Sequence, residues 1–377
     1  MKIQTSKADL LQKVSKVHIA GSETRTSGIA LKAENHLLKM MGTDNSIAVY
    51  CWHPSEVLQE GYAIVPAKLF CDLVKELPEG KVVFEAKDDH MIVTAGLAGE
   101  FLMRLPLLSD GQWIEMPKHE VDKNRAKIKA LSLAYILEQV FFCIGIDKSR
   151  AYGNVGFLHR PKQNTLRAVG TDGYRLSFCE GSFELPLDFL PNGICLSKKA
   201  LGEILRLCLD GYEEIELAIS KDQTTLCASV ADCEIYVALS NVTYPKYETI
   251  LPNEEGQFNV GIAKPLMQTV SKRVMLAAGK SRTLQVKLGA RQLTLKAKSV
   301  SNNVEGVEAI KLPDYQGPDL NLSINGKYLS DILNTIQSEN CKINFVSEEN
   351  PVILAPDKEP LGCKSLHVLV PIRELEG

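Results

Sequence analysis

Lys68-Leu69-Phe70-Cys71-Asp72-Leu73-Val74 reads as a lysine, three residues, an acid and two aliphatics. Lys199-Ala200-Leu201-Gly202-Glu203-Ile204-Leu205 and Lys327-Tyr328-Leu329-Ser330-Asp331-Ile332-Leu333 read the same way, 131 and then 128 residues further on (68 to 199, 199 to 327). A second block, Leu10-Leu11-Gln12-Lys13-Val14, returns as Ile136-Leu137-Glu138-Gln139-Val140 and as Leu266-Met267-Gln268-Thr269-Val270, at steps of 126 and 130 residues. Two independent blocks that keep one order and one spacing mark three copies of one fold. Their period is that of a domain, not of a short solenoid repeat. A chain with three similar domains in a row builds an extended or ring-like surface more readily than one catalytic cleft.

The length supports this. At 377 residues the chain is too long for one ordinary core and fits three domains of about 125 residues. Proline-containing stretches, Leu105-Pro106 to Pro117 and Tyr244-Pro245 to Pro252, close the first two copies. The expected domains are therefore 1–120, 121–256 and 257–377. Apolar residues make up 45% and charged residues 24%, so each copy can bury a core of its own. The net charge of −3 carries no global basic excess. This argues only weakly against a nucleic-acid role, because local charge distribution matters more than the total. The ten cysteines include no Cys-x-x-Cys pair, and many sit in apolar runs. They read as small buried hydrophobes in a reducing cytosol. Met1-Lys2-Ile3-Gln4-Thr5 has no apolar signal-peptide core, and no apolar run approaches a membrane span.

Each copy opens with a short strand and a helix. Met1 to Gln4 leads into Leu10, Leu11, Val14 and Val17 at helical spacing, with Thr5 or Ser6 as cap. Ala126 to Ala130 leads into Leu133, Ile136, Leu137 and Val140, and Phe258 to Ile262 into Leu266, Met267, Val270 and Val274. Pro265 lies early in that third helix, where its missing N–H costs little. Two strands and a turn follow, then a second strand and helix bearing the Lys-x-x-x-acid block, then another hairpin. Short turns imply antiparallel sheets, and two helices per copy would cover one face.

Catalytic signatures are missing. Gly279-Lys280-Ser281 is a fragment of a phosphate-binding loop, but Val274 stands where its first glycine must be. There is no Gly-x-Gly-x-x-Gly, no Gly-x-Ser-x-Gly and no His-Glu-x-x-His. The seven histidines are scattered, and His159 and His367 read as structural. Asp44 and Asp172 share one setting, Gly42-Thr43-Asp44 and Gly170-Thr171-Asp172. Recurrence in two copies favours turn capping over acid–base work. An enzyme that frames a carboxylate site with Asp44, Asp172 and Glu203 is the alternative reading.

Ala168-Val169-Gly170-Thr171-Asp172-Gly173-Tyr174-Arg175-Leu176 is the most specific string in the chain. It resembles the Ala-Thr-Asp-Gly-His-Arg-Leu signature of the bacterial DNA polymerase III beta subunit family, the sliding clamps. Tyr244-Pro245-Lys246-Tyr247-Glu248-Thr249-Ile250-Leu251-Pro252 is similar to that family's Pro-Asp-Tyr…Leu-Pro segment, and Val370-Pro371-Ile372-Arg373 to its Met-Pro-Met-Arg tail. The sequence departs from the family at Gly170, Tyr174, Gly153 and Thr249, and Glu374-Leu375-Glu376-Gly377 extends past the usual end.

The resemblance implies an α+β chain of three DNA-clamp domains. They would form a head-to-tail homodimeric ring, with antiparallel sheets outside and helices lining a hole for duplex DNA. It implies no catalysis, no cofactor and no metal. It places DNA-facing bases at Arg25, Lys148, Arg150, Lys198 and Lys199, joined by Lys272 and Arg273; phosphate contacts bind without sequence preference, as sliding requires. It places a peptide-binding cleft at Thr171, Gly173, Tyr174, Arg175, Leu176, Pro245, Ile250, Val370, Pro371 and Arg373. It sets Phe101 and Met103 against Met275 and Leu276 at the dimer seam. The implied partners are double-stranded DNA, the replicative polymerase subunit, the clamp loader and other proteins with short clamp-binding motifs. The implied location is the bacterial cytoplasm, at the nucleoid, with no membrane.

Overall fold

A computed structural model describes residues 1–20, 28–44, 46–96, 100–109, 125–145, 149–251, 258–299, 301 and 303–373. The expected boundaries near 120 and 256, together with Arg25, Lys148 and the tail from Glu374, lie outside the described residues.

The first copy runs β1 (Lys2–Ser6), α1 (Lys7–Ala20), β2 (Gly28–Glu34), β3 (Leu37–Thr43), β4 (Ile47–Pro54), β5 (Glu56–Gln59), β6 (Gly61–Pro66), α2 (Ala67–Glu76), β7 (Lys81–Lys87), β8 (His90–Ala95) and β9 (Phe101–Pro106). The second runs β10 (Arg125–Lys129), α3 (Ala130–Phe141), β11 (Val155–His159), β12 (Thr165–Thr171), β13 (Arg175–Ser182), β14 (Ile194–Ser197), α4 (Lys198–Cys208), β15 (Glu214–Ile219), β16 (Thr225–Val230) and β17 (Cys233–Ala238). The third runs β18 (Phe258–Ala263), α5 (Lys264–Met275), β19 (Thr283–Gly289), β20 (Gln292–Ser299), β21 (Val304–Lys311), β22 (Leu320–Asn325), α6 (Gly326–Thr335), β23 (Asn340–Phe345), β24 (Val352–Pro356) and β25 (Lys364–Leu369). The expected repeat is there, but each copy holds more strands than expected. Three strands, not two, follow the first helix, the first copy adds β5, and a third strand follows the last hairpin of each copy.

The described residues form two compact units, Met1–Ile128 with Tyr212–Leu239 and Lys129–Gly211 with Ser240–Gly377. The middle copy is thus divided between them. In the first unit the sheets run β5-β1-β7-β8-β9 and β10-β15-β16-β17-β4-β3-β2-β6. In the second they run β14-β11-β12-β13-β25-β24-β23-β18 and β21-β20-β19-β22. All described pairings are antiparallel. In each unit one sheet therefore continues from one copy into the next: β17 pairs with β4, and β25 with β13.

α2 and α6 each bury one face. In α2, Phe70, Leu73 and Val74 point inward, and Phe70 meets Phe84 with ring centroids 5.6 Å apart. In α6, Leu329, Ile332 and Leu333 join Val286, Leu293 and Leu295 in the third core. Caps follow the sequence: Ser6 Oγ accepts the Asp9 N–H, Ser197 that of Ala200, and Asn325 those of Lys327 and Tyr328. Among the described residues no helix is long and apolar enough to cross a membrane.

The two Gly-Thr-Asp sequences explain themselves here. A Cβ on Gly42 would lie 2.3 Å from the Val17 carbonyl oxygen of α1, and one on Gly170 would lie 2.7 Å from that of Val140 in α3. The helix backbone rests on these strands, and no side chain fits between. Asp44 then turns its carboxylate onto the Ser46 and Ile47 N–H groups, at 3.0 and 2.8 Å.

Polar groups pin both cross-copy junctions. At the first, buried Lys13 of α1 pairs with Asp232, and the Tyr212 hydroxyl donates to the same carboxylate. Burial pushes the Asp232 carboxyl up, but these partners outweigh it and hold it below its ordinary value. At the second, fully buried His367 of β25 meets Ser177 of β13, Nδ1 to Oγ, at 2.8 Å, and Ser177 donates to the Gln139 carbonyl at 2.5 Å. The serine proton is committed to that carbonyl, so His367 Nδ1 donates and the ring is neutral. Burial lowers its pKa to about 3.

Two outcomes follow. Gly42→Ala should lower stability by about 1–3 kcal/mol through overpacking against an immobile backbone, read as a lower urea midpoint. The second outcome concerns pH. Below an unfolded histidine pKa of about 6.5 the unfolded chain takes up a proton that folded His367 refuses until about pH 3. Stability should therefore be full above pH 6.5 and fall by up to about 1.4 kcal/mol per pH unit below it. His367→Gln should flatten that slope between pH 6 and 4.5, above the carboxylate range. An unchanged slope in urea melts would contradict this.

Candidate functional site: an apolar cleft beside the β12–β13 turn

The β12–β13 turn is built from its own side chains. Asp172 Oδ1 accepts the N–H groups of Tyr174 and Arg175 at 3.0 and 3.1 Å. Thr171 Oγ1 donates to the Arg175 carbonyl at 2.7 Å and accepts the Gly173 N–H at 3.1 Å. Gly173 has φ +87°, and a Cβ there would fall 1.6 Å from Arg150 Nη1. The positive φ favours glycine, and the space beside it is filled by the Arg150 guanidinium. Arg150 in turn lies over the Tyr174 ring, 5.1 Å from its centroid.

Arg175 points away from the surface. Its guanidinium donates to Asp172 (2.9 Å), Asp331 (2.7 Å) and the Phe142 carbonyl (2.9 Å). It lies 5.2 Å from the Phe142 ring centroid and 4.2 Å from that of Tyr328. Asp331 also takes Lys327 at 2.7 Å. Burial pushes the Asp331 carboxyl up, but Lys327 and Arg175 outweigh it and hold the group below its ordinary range. The acid of the third Lys-x-x-x-acid block thus ties α6 to the β12–β13 turn. In the first two blocks the acids pair with a base three residues away, Asp72 with Lys75 and Glu203 with Arg206.

Beside the turn, Val169, Leu176, Phe178, Tyr247 and Val368 form a buried apolar cluster. The Tyr247 hydroxyl beneath it accepts Arg167 Nη1 at 2.8 Å and bonds His159 Nε2 at 2.9 Å. Burial, with the Arg167 charge, lowers the His159 pKa to about 4. Phe157 stacks on His159 and on Tyr244, with centroids 4.6 and 4.9 Å apart. At the cluster's margin three apolar side chains stay open: Tyr174 (53% exposed), Ile250 (44%) and Val370 (38%). The terminal stretch is pinned twice. The Val370 N–H donates to the Tyr174 carbonyl at 3.0 Å and that of Ile372 to the Ser323 carbonyl at 2.7 Å, with half-buried Pro371 between them. Half-buried Pro245 accepts the Tyr247 N–H at 2.8 Å, and Arg373 is exposed.

Of the expected cleft residues, Leu176 lies in the buried cluster, Thr171, Gly173 and Tyr174 in the turn that precedes it, Pro245 and Ile250 on either side of Tyr247, and Val370 and Pro371 just after β25, while Arg175 is an internal brace. Sequence reasoning missed the brace partners Phe142, Tyr328 and Asp331, and the Arg167–Tyr247–His159 support. The recurring acid block was the available signal for Asp331.

The expected DNA-facing residues are not alike. Arg150 lies at the cleft turn. Lys198 spends its ammonium on the Ile144 carbonyl at 2.7 Å and the Phe141 ring at 4.9 Å; burial and Arg175 lower its pKa. Lys199 follows it, half-buried, in the first turn of α4. On α5, Lys272 is exposed and Arg273 pairs with Glu308, Nε to Oε2, at 2.9 Å. Leu276, just after α5, is 83% exposed, and Met275 is half-buried against the third core. Phe101 and Met103 are half-buried on β9. The described residues hold no group of three or more His, Cys, Asp or Glu suited to a metal.

Replacing Arg175 takes a buried charged partner from each of two carboxylates. Arg175→Ala should cost about 3 kcal/mol. Arg175→Lys should not restore it, because an ammonium cannot reproduce the planar fork held between two rings. Urea midpoints check both; full rescue by lysine would contradict the brace.

Residues 1–112, 127–246 and 248–372 match the family models described as the N-terminal, central and C-terminal domains of the DNA polymerase III beta subunit. The beta sliding clamp of Proteus mirabilis is 28% identical over 349 residues, covering 92% of this chain and 91% of that protein. That of Caulobacter vibrioides is 24% identical, covering 99% and 100%. Among solved structures, the DNA polymerase sliding clamp of Pseudomonas aeruginosa superposes with a TM-score of 0.89 at 21% identity, covering 99% of this chain and 100% of that one. The DNA polymerase III beta subunit of Thermotoga maritima gives the same values. These likenesses give a three-domain clamp fold. With all three domains matched in order along nearly its whole length, the chain belongs to the DNA polymerase III beta subunit family, the sliding clamps.

Proposed function

We propose that two copies of this chain close head to tail around duplex DNA and tether the replicative polymerase through the cleft beside the β12–β13 turn. One observation carries the reading. β4, β13 and β21 hold equivalent places in the three copies, as do β9, β17 and β25. Within the chain β17 completes the sheet of β4, and β25 that of β13. The third equivalent pair stays apart: β9 and β21 each end their sheets among the described residues. A second copy supplies the missing partner for each, which is a closed two-fold ring. The exposed Leu276 and the side chains of Phe101, Met103 and Met275 supply apolar contact at that seam. The proposed domains are 1–120, 121–256 and 257–377.

In this reading the ring holds DNA by topology. A net charge of −3 gives little direct attraction, while Arg25, Lys148, Lys199 and Lys272 touch phosphates without reading sequence. The cleft takes short extended motifs with apolar side chains, from the polymerase subunit, the clamp loader and other partners, at affinities of about −8 kcal/mol. The chain needs no cofactor, performs no catalysis and works in the cytoplasm at the nucleoid.

The test is retention. Loaded onto nicked circular plasmid by a clamp loader, the protein should stay bound, and it should be lost when the plasmid is linearised. Equal retention on both forms, or a monomer in sedimentation at micromolar protein, would sink the ring.

A further inference from the structure

The register of β4 against β17 sets Cys51 directly opposite Cys233. Their sulfurs are 2.9 Å apart, and both residues are 0% exposed. At the other cross-copy junction, Cys179 of β13 pairs across the ladder with Ser365 of β25, and buried Cys363, two residues ahead of that serine, is its diagonal neighbour. The two places correspond along the repeat, although the second pair is offset by two residues in register. Cys51 and Cys179 are each the fifth residue of their strands, 128 residues apart (51 to 179), and Cys233 and Cys363 are 130 apart (233 to 363). These steps fall among those of the sequence repeat itself. In the third copy the fifth residue of β21 is Glu308, and β9 begins with Phe101. The strands that end their sheets carry no such pair.

We propose that Cys51–Cys233 and Cys179–Cys363 are dithiol modification sites, which hydrogen peroxide converts to disulfides that fasten the two sheet junctions within the chain. One thiolate attacks a peroxide oxygen. The O–O bond breaks, that sulfur becomes a sulfenic acid, and the other oxygen leaves as water once protonated. The facing thiol then attacks the sulfenic sulfur. The S–O bond breaks, the S–S bond forms, and a second water leaves. Each bridge oxidises two sulfurs, reduces one peroxide and yields two waters.

At Cys51 geometry favours the second step, because the Cys233 sulfur is already in contact. The first step is slow in the closed fold. Burial raises the Cys51 and Cys179 thiols, though Lys16 and Lys13 partly offset this at Cys51. Opening of the β4–β17 or β13–β25 edge admits peroxide, and the bridge then keeps that edge from opening again. On the ring reading the seam between subunits, which has to part for DNA to enter, stays free of the bond.

The experiment treats the full-length native protein with hydrogen peroxide. It is then denatured without reductant, its thiols are alkylated, and its peptides are mapped by mass spectrometry. The expected result is that four of the ten cysteines lose alkylation. The Cys51 peptide should be joined to that of Cys233, and the Cys179 peptide to that of Cys363. The unfolding midpoint should rise and return to the reduced value with dithiothreitol. Cys51→Ala and Cys233→Ala should each abolish the first link and leave the second. Alkylation of all ten, links between other pairs, or sulfinic acid at these four without a link would each overturn the proposal. None of these readouts depends on ring closure, which sedimentation of the same samples reports separately.

Discussion

Two backbone ladders carry this architecture, β4 against β17 and β13 against β25. An exposed strand edge is a row of unpaired donors and acceptors, and each copy presents one such edge after its first helix. The chain answers by lending that edge the last strand of the following copy. Packing follows from the loan. The side chains that pin each junction, Lys13 with Asp232 and Ser177 with His367, are drawn from both copies that meet there. Neither pair exists in a copy taken alone. The division of the middle copy between two compact units has the same origin.

The cleft depends on one of these ladders. Because β25 lies along β13, the residues after Leu369 run past the β12–β13 turn, and the Val370 N–H meets the Tyr174 carbonyl. An open apolar margin over a rigid floor then results from three separate segments. Arg175 makes the arrangement stiff. Its guanidinium makes three hydrogen bonds, to two carboxylates and a carbonyl, and lies against two rings, joining the end of α3, α6 and the turn. A residue in the middle of the motif therefore serves the motif's position, not its surface.

What sequence could reveal was set by range. α2, α4 and α6 were legible because Lys-x-x-x-acid and its aliphatics are local and recur. The hairpins β7–β8, β15–β16 and β23–β24 were legible because turn chemistry sits between their strands. The third strand after each first helix and the last strand of each copy were not. β21 opens Val304-Glu305-Gly306-Val307-Glu308, with a glycine and two acids, and reads as loop until its neighbour β20 is known. β17 finds its partner more than 180 positions back in the chain (233 to 51), where no periodicity can signal it. At the cleft, the turn Thr171 to Leu176 was readable, while the direction of Arg175 was not, because Phe142, Tyr328 and Asp331 reach it only through tertiary packing.

The borrowed strand also imposes an order of events on synthesis. β4 is complete once Pro54 has been made, but β17 ends at Ala238. At about 5–20 residues per second, the ribosome leaves that edge without its partner for about ten to forty seconds. During that interval Val49, Tyr50 and Cys51, all buried in the finished fold, border an open ladder that any other nascent strand can join. The same delay befalls β13 until Leu369. A chain built this way commits its first two copies each to wait for the next, so crowded translation is where those edges most need a chaperone.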